Sequence, residues 1–221
     1  MARLLIIDLH LSEKLVIIVG AGNEALKRIK LLLNEECQII VLGQKPNPEI
    51  EKLHSQKKII LKKIKLSSTK FLKELKPFLV ITATTDKSLN KKIIQDAKRM
   101  NIMSYASDSP GTSDIAFLSL INIKDIIRVG LSTGGSSPIM AKKLRMKTEQ
   151  VLKNSISDQD IQLIKLQKFA RIESKKYIST QQERKKFLYS IVHDKRVKEL
   201  LKDGKYKRIQ TIIKNMVKDW K

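Results

Sequence analysis

The chain has 221 residues with an ordinary 42% hydrophobic content, one cysteine and a formal net charge of +23. Those totals fit a folded chain with a sizeable core. They exclude an intrachain disulfide or a multi-cysteine metal site, and no apolar run approaches the roughly 18–20 residues that cross a bilayer. The start, Met1 to Asp8, lacks a cleavable signal pattern, so a soluble cytoplasmic protein is expected. Leu4–Leu9 reads as a short strand and Leu11–Lys14 as a turn, an antiparallel lead-in that would add an edge strand to the sheet. Leu15–Val19 is the next strand. It runs into Gly20-Ala21-Gly22-Asn23-Glu24-Ala25 and then a helical pattern from Asn23 to about Asn34. This order of strand, glycine turn and helix is the G-x-G-x-x-G/A arrangement. Gly20 permits the turn, Gly22 lets a phosphate approach the backbone, Ala25 allows close helix–strand packing, and the first helical amides face an anion.

Gln38–Leu42 is the second strand of a wound sheet. The acid that often grips an adenosine ribose after this strand is absent, and Gln44 and Lys45 stand there instead. Gln44 can bond a hydroxyl and Lys45 can tolerate a 2′-phosphate, so this position leaves NAD and NADP both open. A short helix (48–56), a strand (59–64), a helix (69–75) and a buried strand (78–83) follow. That last strand ends in Thr84-Thr85-Asp86, ahead of a helix from Lys87 to Met100 containing Asn90. Thr84 and Asp86 therefore fall on the rim of the glycine loop, where Asp86 also suits the helix cap. A fifth strand (102–106) delivers Ser107-Asp108-Ser109-Pro110 to the same rim. The alternation up to about residue 112 reads as a Rossmann-type, doubly wound parallel α/β sheet.

The rhythm then changes. Residues 114–120 and 126–132 read as a β-hairpin with its turn near 122–125. Ser132-Thr133-Gly134-Gly135-Ser136-Ser137-Pro138 precedes a helix from 139 to about 153. Pro138 and Ser136 or Ser137 suit a helix start, and the loop's hydroxyls and glycines also suit an anion. Beyond residue 155 the chain reads as helical. Thr180–Glu183 is a candidate capping box, Gly204 a break, and Ile161, Ile164, Phe169 and Ile172 a packing face. The expected division is a dinucleotide domain (1–112), a hairpin and loop region (113–155) and a basic helical domain (156–221). Residues 146–221 carry 20 basic and 9 acidic side chains, which reflects either a polyanionic partner or a Lys- and Ile-rich composition. Aromatic residues for base stacking are sparse there, so a nucleic-acid partner is not expected. His10, His54 and His193 lie outside every motif above, and no resident metal is expected.

Four blocks carry a family resemblance: 16–25, 81–86 with Asn90, 107–110, and 131–138. Over about residues 1–150 the chain resembles the precorrin-2 dehydrogenases, which also occur as the N-terminal module of siroheme synthases. The resemblance implies oxidation of precorrin-2 to sirohydrochlorin with NAD as hydride acceptor, in a homodimer interlocked through the region after the nucleotide domain. By the same resemblance Gly20, Gly22, Asn23 and Glu24 hold the pyrophosphate region, Gln44 and Lys45 meet the adenosine end, Asp108 is catalytic, and Ser132, Thr133, Gly134, Gly135, Ser136 and Ser137 border the tetrapyrrole. Some members also insert Fe²⁺. The Gly-Ala-Gly loop departs mildly from the family's usual Gly-Gly-Gly. A non-catalytic NAD sensor with a basic interaction tail is the competing reading, because this fold hosts both kinds of function.

Overall fold

A computed structural model describes residues 5–220. They divide into two compact units, 5–117 and 118–220. The first unit runs β1 (Leu15–Val19), α1 (Asn23–Leu32), β2 (Gln38–Leu42), α2 (Pro48–Ser55), β3 (Ile60–Lys62), α3 (Lys70–Leu75), β4 (Leu79–Thr82), α4 (Lys87–Arg99) and β5 (Met103–Ala106), then a 3₁₀ turn at Pro110–Thr112. All five strands are parallel, in the order β3-β2-β1-β4-β5. The sheet is apolar on both faces because helices cover both. Strand periodicity sorts alternate side chains into two cores. Val16, Ile18 and Ile81 pack with Ala25 and Ile29 of α1 and Ile50 of α2, whereas Ile17, Val19 and Val80 pack with Leu72 of α3 and Ile93 of α4.

The strand expected at 4–9 does not form over the described residues 5–9. β1 already pairs with β2 on one side and β4 on the other, so an antiparallel neighbour has no free edge to join. Leu9 and Leu11 still pack on the core, but Leu5 is 87% exposed and Ile6 and Ile7 are also out in solvent. The turn that follows forms as expected, closed by the Lys14 amide on the Leu11 carbonyl.

The second unit begins with an antiparallel hairpin, β6 (Ser119–Ile123) and β7 (Ile127–Leu131). Its first strand starts five residues later than the pattern suggests. The stretch before it is engaged with the outer edge of β5: the Asp114 carboxylate accepts from the Ser104 amide (2.9 Å) and hydroxyl (2.6 Å), and the Ser113 hydroxyl accepts from the Ala106 amide (2.9 Å). The hairpin turn falls at Lys124 and Asp125, both left-handed (φ 53° and 54°).

Helices α5 (Pro138–Ser155), α6 (Asp158–Tyr177), α7 (Gln181–His193), α8 (Lys195–Lys202) and α9 (Tyr206–Lys218) follow. Ile121 and Ile123 of the hairpin pack with Ile161, and a separate core of Leu166, Ala170, Phe187, Val197 and Ile213 joins α6 to α9. The packing face expected on α6 is only half right. Ile161 is buried and Phe169 partly so, but Ile164 and Ile172 are exposed, and the buried stripe runs through Leu166, Ala170 and Ser174. Residues 157–160 form the full capping box, with the Ser157 amide donating to Asp160 and the Asp160 amide to the Ser157 hydroxyl. At Thr180 only the forward bond from the Glu183 amide forms, because the Glu183 carboxylate instead meets Lys186 and Trp220. Among the described residues no helix is long and apolar enough to cross a membrane.

Candidate active site

The rim at the carboxyl ends of the parallel strands is built around Gly20. Its backbone sits at φ +113°, and a Cβ placed there would lie 2.3 Å from the Ala83 carbonyl oxygen. Glycine is thus required both for the conformation and for direct contact with the chain leaving β4. On the other side a Cβ on Gly43 would lie 2.6 Å from the Ala21 Cβ, so the chain leaving β2 presses equally close. The loop 20–22 is therefore wedged between the ends of β2 and β4. The strand order reverses at β1 and β4, which is where wound sheets bind ligands.

Gly22 differs from its neighbours in having nothing within 4 Å of where its Cβ would be. It is also the N-cap of α1 and supplies no side chain to the helix. The first-turn amides of Asn23, Glu24 and Ala25 have neither a preceding helix carbonyl nor a capping side chain. Open space, uncapped donors and the positive end of the helix dipole make a seat for a pyrophosphate. Ala25 is fully buried against the sheet, as a close-packed third position requires.

Asn47 braces this seat and has no counterpart in the sequence expectations. Its amide donates to the Ala21 carbonyl (2.8 Å) and its side-chain NH₂ to the Asn23 Oδ1 (2.8 Å), while its own Oδ1 caps α2 by accepting from the Glu49 amide (2.8 Å). The Asn-Pro pair at a helix start was its only signal. Gln44 and Lys45 lie exposed between Gly43 and Asn47 at the end of β2, beside the seat.

Glu24 lies in the first turn of α1, but its carboxylate turns along the helix. It accepts from Lys27 (3.0 Å) and Arg28 (2.6 Å). Partial burial works to raise its pKa, yet the Lys27 hydrogen bond and the Arg28 charge together hold it below the usual carboxylate range. Arg28 in turn lies over the rings of Tyr105 (4.9 Å) and Phe117 (4.8 Å) and donates to the Tyr105 hydroxyl (3.1 Å). Burial pushes the Tyr105 phenol up, with Arg28 acting against it. This cluster ties α1 to β5 and to the end of the unit. Glu24 is thus part of this anchor.

At the end of β4 the Thr84 hydroxyl donates to the buried Asn90 Oδ1 (2.6 Å), and the Asn90 NH₂ returns a bond to the Thr84 carbonyl (3.0 Å). Asp86 caps α4, accepting from the Ser88 and Leu89 amides (3.0 Å each). The Ser88 hydroxyl and the Leu89 amide hold its carboxyl below the ordinary value. Both predicted residues are thus fixed on the rim by bonds to the protein itself. Asp108 lies just past β5, exposed. β5 is two strands from β1, about 10 Å across the sheet. Between them, Thr82 Oγ1 and Ser107 Oγ are buried without a hydrogen-bond partner, although the Ser107 amide is satisfied by the Thr82 carbonyl (3.0 Å).

In the second unit the loop 132–137 is a tight turn. Gly134 and Gly135 are both left-handed (φ +61° and +81°). The amides of Gly134, Ser136 and Ser137 are taken by Ser132 Oγ, the Thr133 carbonyl and Thr133 Oγ1, and Ser137 Oγ caps α5 through the Met140 amide. The sequence suits this loop to an anion; the loop uses three of its amides itself and leaves the space beside its glycines open. Cys37 is half-buried with its thiol pKa raised by burial, an unreactive position. Among the described residues no three His, Cys, Asp or Glu side chains gather as metal ligands would.

Residues 7–119 match the family described as "Putative NAD(P)-binding". The chain belongs to this NAD(P)-binding family. The uncapped seat at Gly22 fits the family's ligand. Among curated relatives, the siroheme synthase of Buchnera aphidicola (strain APS) is 29% identical over 212 residues, 95% of this chain and 43% of that protein. That of Neisseria meningitidis serogroup C (strain 053442) is 30% identical over 150 residues, 67% of this chain and 30% of that protein. The chain spans less than half the length of these relatives. The solved structure of SirC, precorrin-2 dehydrogenase, superposes with a TM-score of 0.69 over 96% of this chain and 100% of that one, at 20% identity. The NAD(P)-binding chain shares that fold, from wound sheet through hairpin to C-terminal helices.

Proposed function

We propose that the protein oxidises precorrin-2 to sirohydrochlorin in siroheme biosynthesis, in the cytoplasm, with NAD as the cofactor. The observation that carries this reading is the placement of a free-standing carboxylate, Asp108, on the rim that also holds the uncapped N-terminus of α1. The siroheme synthases that match and the fold shared with a precorrin-2 dehydrogenase support the choice of substrate. When bound, the nicotinamide ring supplies the hydride acceptor. The chain's own residues do the rest. The α1 amides and Asn23 hold the pyrophosphate, Gln44 bonds the adenosine ribose, and Asp108 accepts the proton that leaves with the hydride. The Ser132–Ser137 loop is assigned to the macrocycle.

The active form is a homodimer on this reading. α5 has no buried side chain, and Ile139, Met146 and Val151 are each more than half exposed along it. A helix with that much bare apolar surface fits a second copy.

The test is anaerobic precorrin-2 with NAD⁺, followed by sirohydrochlorin absorbance, for wild type and Asp108→Ala. A fall of about 10²-fold or more in kcat with dinucleotide affinity retained is expected. An unchanged rate removes Asp108 from the mechanism, and no turnover by wild type sinks the activity. NADP⁺ in place of NAD⁺ decides the cofactor, and Co²⁺ added to the finished reaction reports metal insertion separately.

A further inference from the structure

A groove of about 720 Å³ runs between α6 and α7 in the second unit. Its lining includes Leu188 and Tyr189, and Arg171, Lys175, Arg184 and Lys185 stand around it. No carboxylate contributes to that lining. The lysine pairs 175–176 and 185–186 are each divided by the structure. Lys176 and Lys186 each bind the glutamate three residues earlier, Glu173 and Glu183 (2.7 Å each). Lys175 and Lys185 belong to the groove, and among the described residues neither they nor Arg171 meets a carboxylate. Arg184 is held in place by donating to the Ile178 and Ser179 carbonyls (2.8 and 2.7 Å) at the end of α6.

Leu188, Val192 and the Tyr189 ring share the lining with four cations, which favours an amphipathic anion over two other ligand classes. A small hydrophilic anion would gain nothing from Leu188 and Tyr189, and a neutral apolar ligand would leave the cations unmatched. We infer that the α6–α7 groove is a second binding site, separate from the dinucleotide rim, for a flat apolar molecule carrying several carboxylates. The volume suits a macrocycle of that kind. Choosing the tetrapyrrole among such molecules rests on the proposed activity; the polycarboxylate chemistry of the groove does not. Such a site keeps substrate or product on the protein between encounters with the rim.

The probe is uroporphyrin III, a stable fluorescent octacarboxylate, titrated into the full chain at about 150 mM salt, where exposed charges further apart than about 8 Å are screened. Lys175→Glu with Lys185→Glu should abolish one equivalent of bound porphyrin, or weaken it by at least about tenfold, with dinucleotide binding and thermal unfolding unchanged. The charge-matched control Lys198→Glu with Lys202→Glu, on α8, should bind as wild type. Coproporphyrin, with half the carboxylates, should bind the groove more weakly. Wild-type affinity in the groove variant overturns the inference, as does an equal loss in the control. So does a single-stranded oligonucleotide that binds through Lys175 and Lys185 where uroporphyrin does not. Porphyrin binding that depends on the groove in a protein unable to oxidise precorrin-2 would sink the proposed activity and leave the groove standing.

Discussion

The two units differ in how often a side chain caps a helix start. In the first, α2 and α4 are capped by Asn47 and Asp86, but α1, at the switch point, begins on a glycine that offers its amides nothing. In the second, α5, α6, α7 and α8 all start on a capping side chain: Ser137, Ser157, Thr180 and Asp194. α3 and α9 also start without a capping side chain, at Thr69 and Lys205, so a missing cap alone does not mark a ligand seat; at α1 it coincides with the glycine turn at the switch point. The second unit recognises with side chains instead, through the cations of the α6–α7 groove.

Three substitutions probe that contrast. The largest effect belongs to Gly20→Ala. A Cβ 2.3 Å from the Ala83 oxygen, in a backbone conformation that L-residues avoid, should lower stability by about 3 kcal/mol, read by denaturant unfolding. A loss of under about 1 kcal/mol would mean the loop relaxes and the wedge is not a constraint. Next, Gly22→Asp supplies the missing cap. Dinucleotide affinity should fall at least tenfold, about 1.4 kcal/mol, while the melting temperature holds or rises, because the new carboxylate occupies the amides and repels phosphate. Retained affinity would show that those amides are not the seat. The smallest effect is Ser157→Ala, which should cost about 1 kcal/mol in stability and leave dinucleotide affinity untouched.

Much of the first unit was legible because its signals are local. A run such as Val16-Ile17-Ile18-Val19 is apolar at every position only when both faces are covered, and the glycines follow at once. Signals that depend on a distant partner were not. Leu4–Leu9 has strand composition, but nothing in it says that β1 is central and both its edges are taken. Asp114 to Leu118 looks like the first strand of a hairpin, yet Asp114 is engaged with Ser104. At the rim, the glycine turn at Gly20 and Gly22 and the close packing of Ala25 were readable from spacing. Asn47 was missed because its bonds reach back across 24 residues to Asn23. The ion pair of Glu24 was illegible for the same reason: Tyr105 and Phe117, which contact its partner Arg28, lie some 77 and 89 residues beyond that arginine in the chain.

The Asp114–Ser104 contact has a meaning beyond the fold of one chain. An open sheet has two outer borders, and each is a template on which a foreign chain can grow. On the β5 side, Asp114 and Ser113 occupy the Ser104 and Ala106 amides that an incoming backbone would need. On the β3 side, the strand is three residues long, ends on Lys62 and is followed by Lys63 and Lys65. Both borders are closed to polymerisation, one by a borrowed carboxylate and the other by brevity and charge.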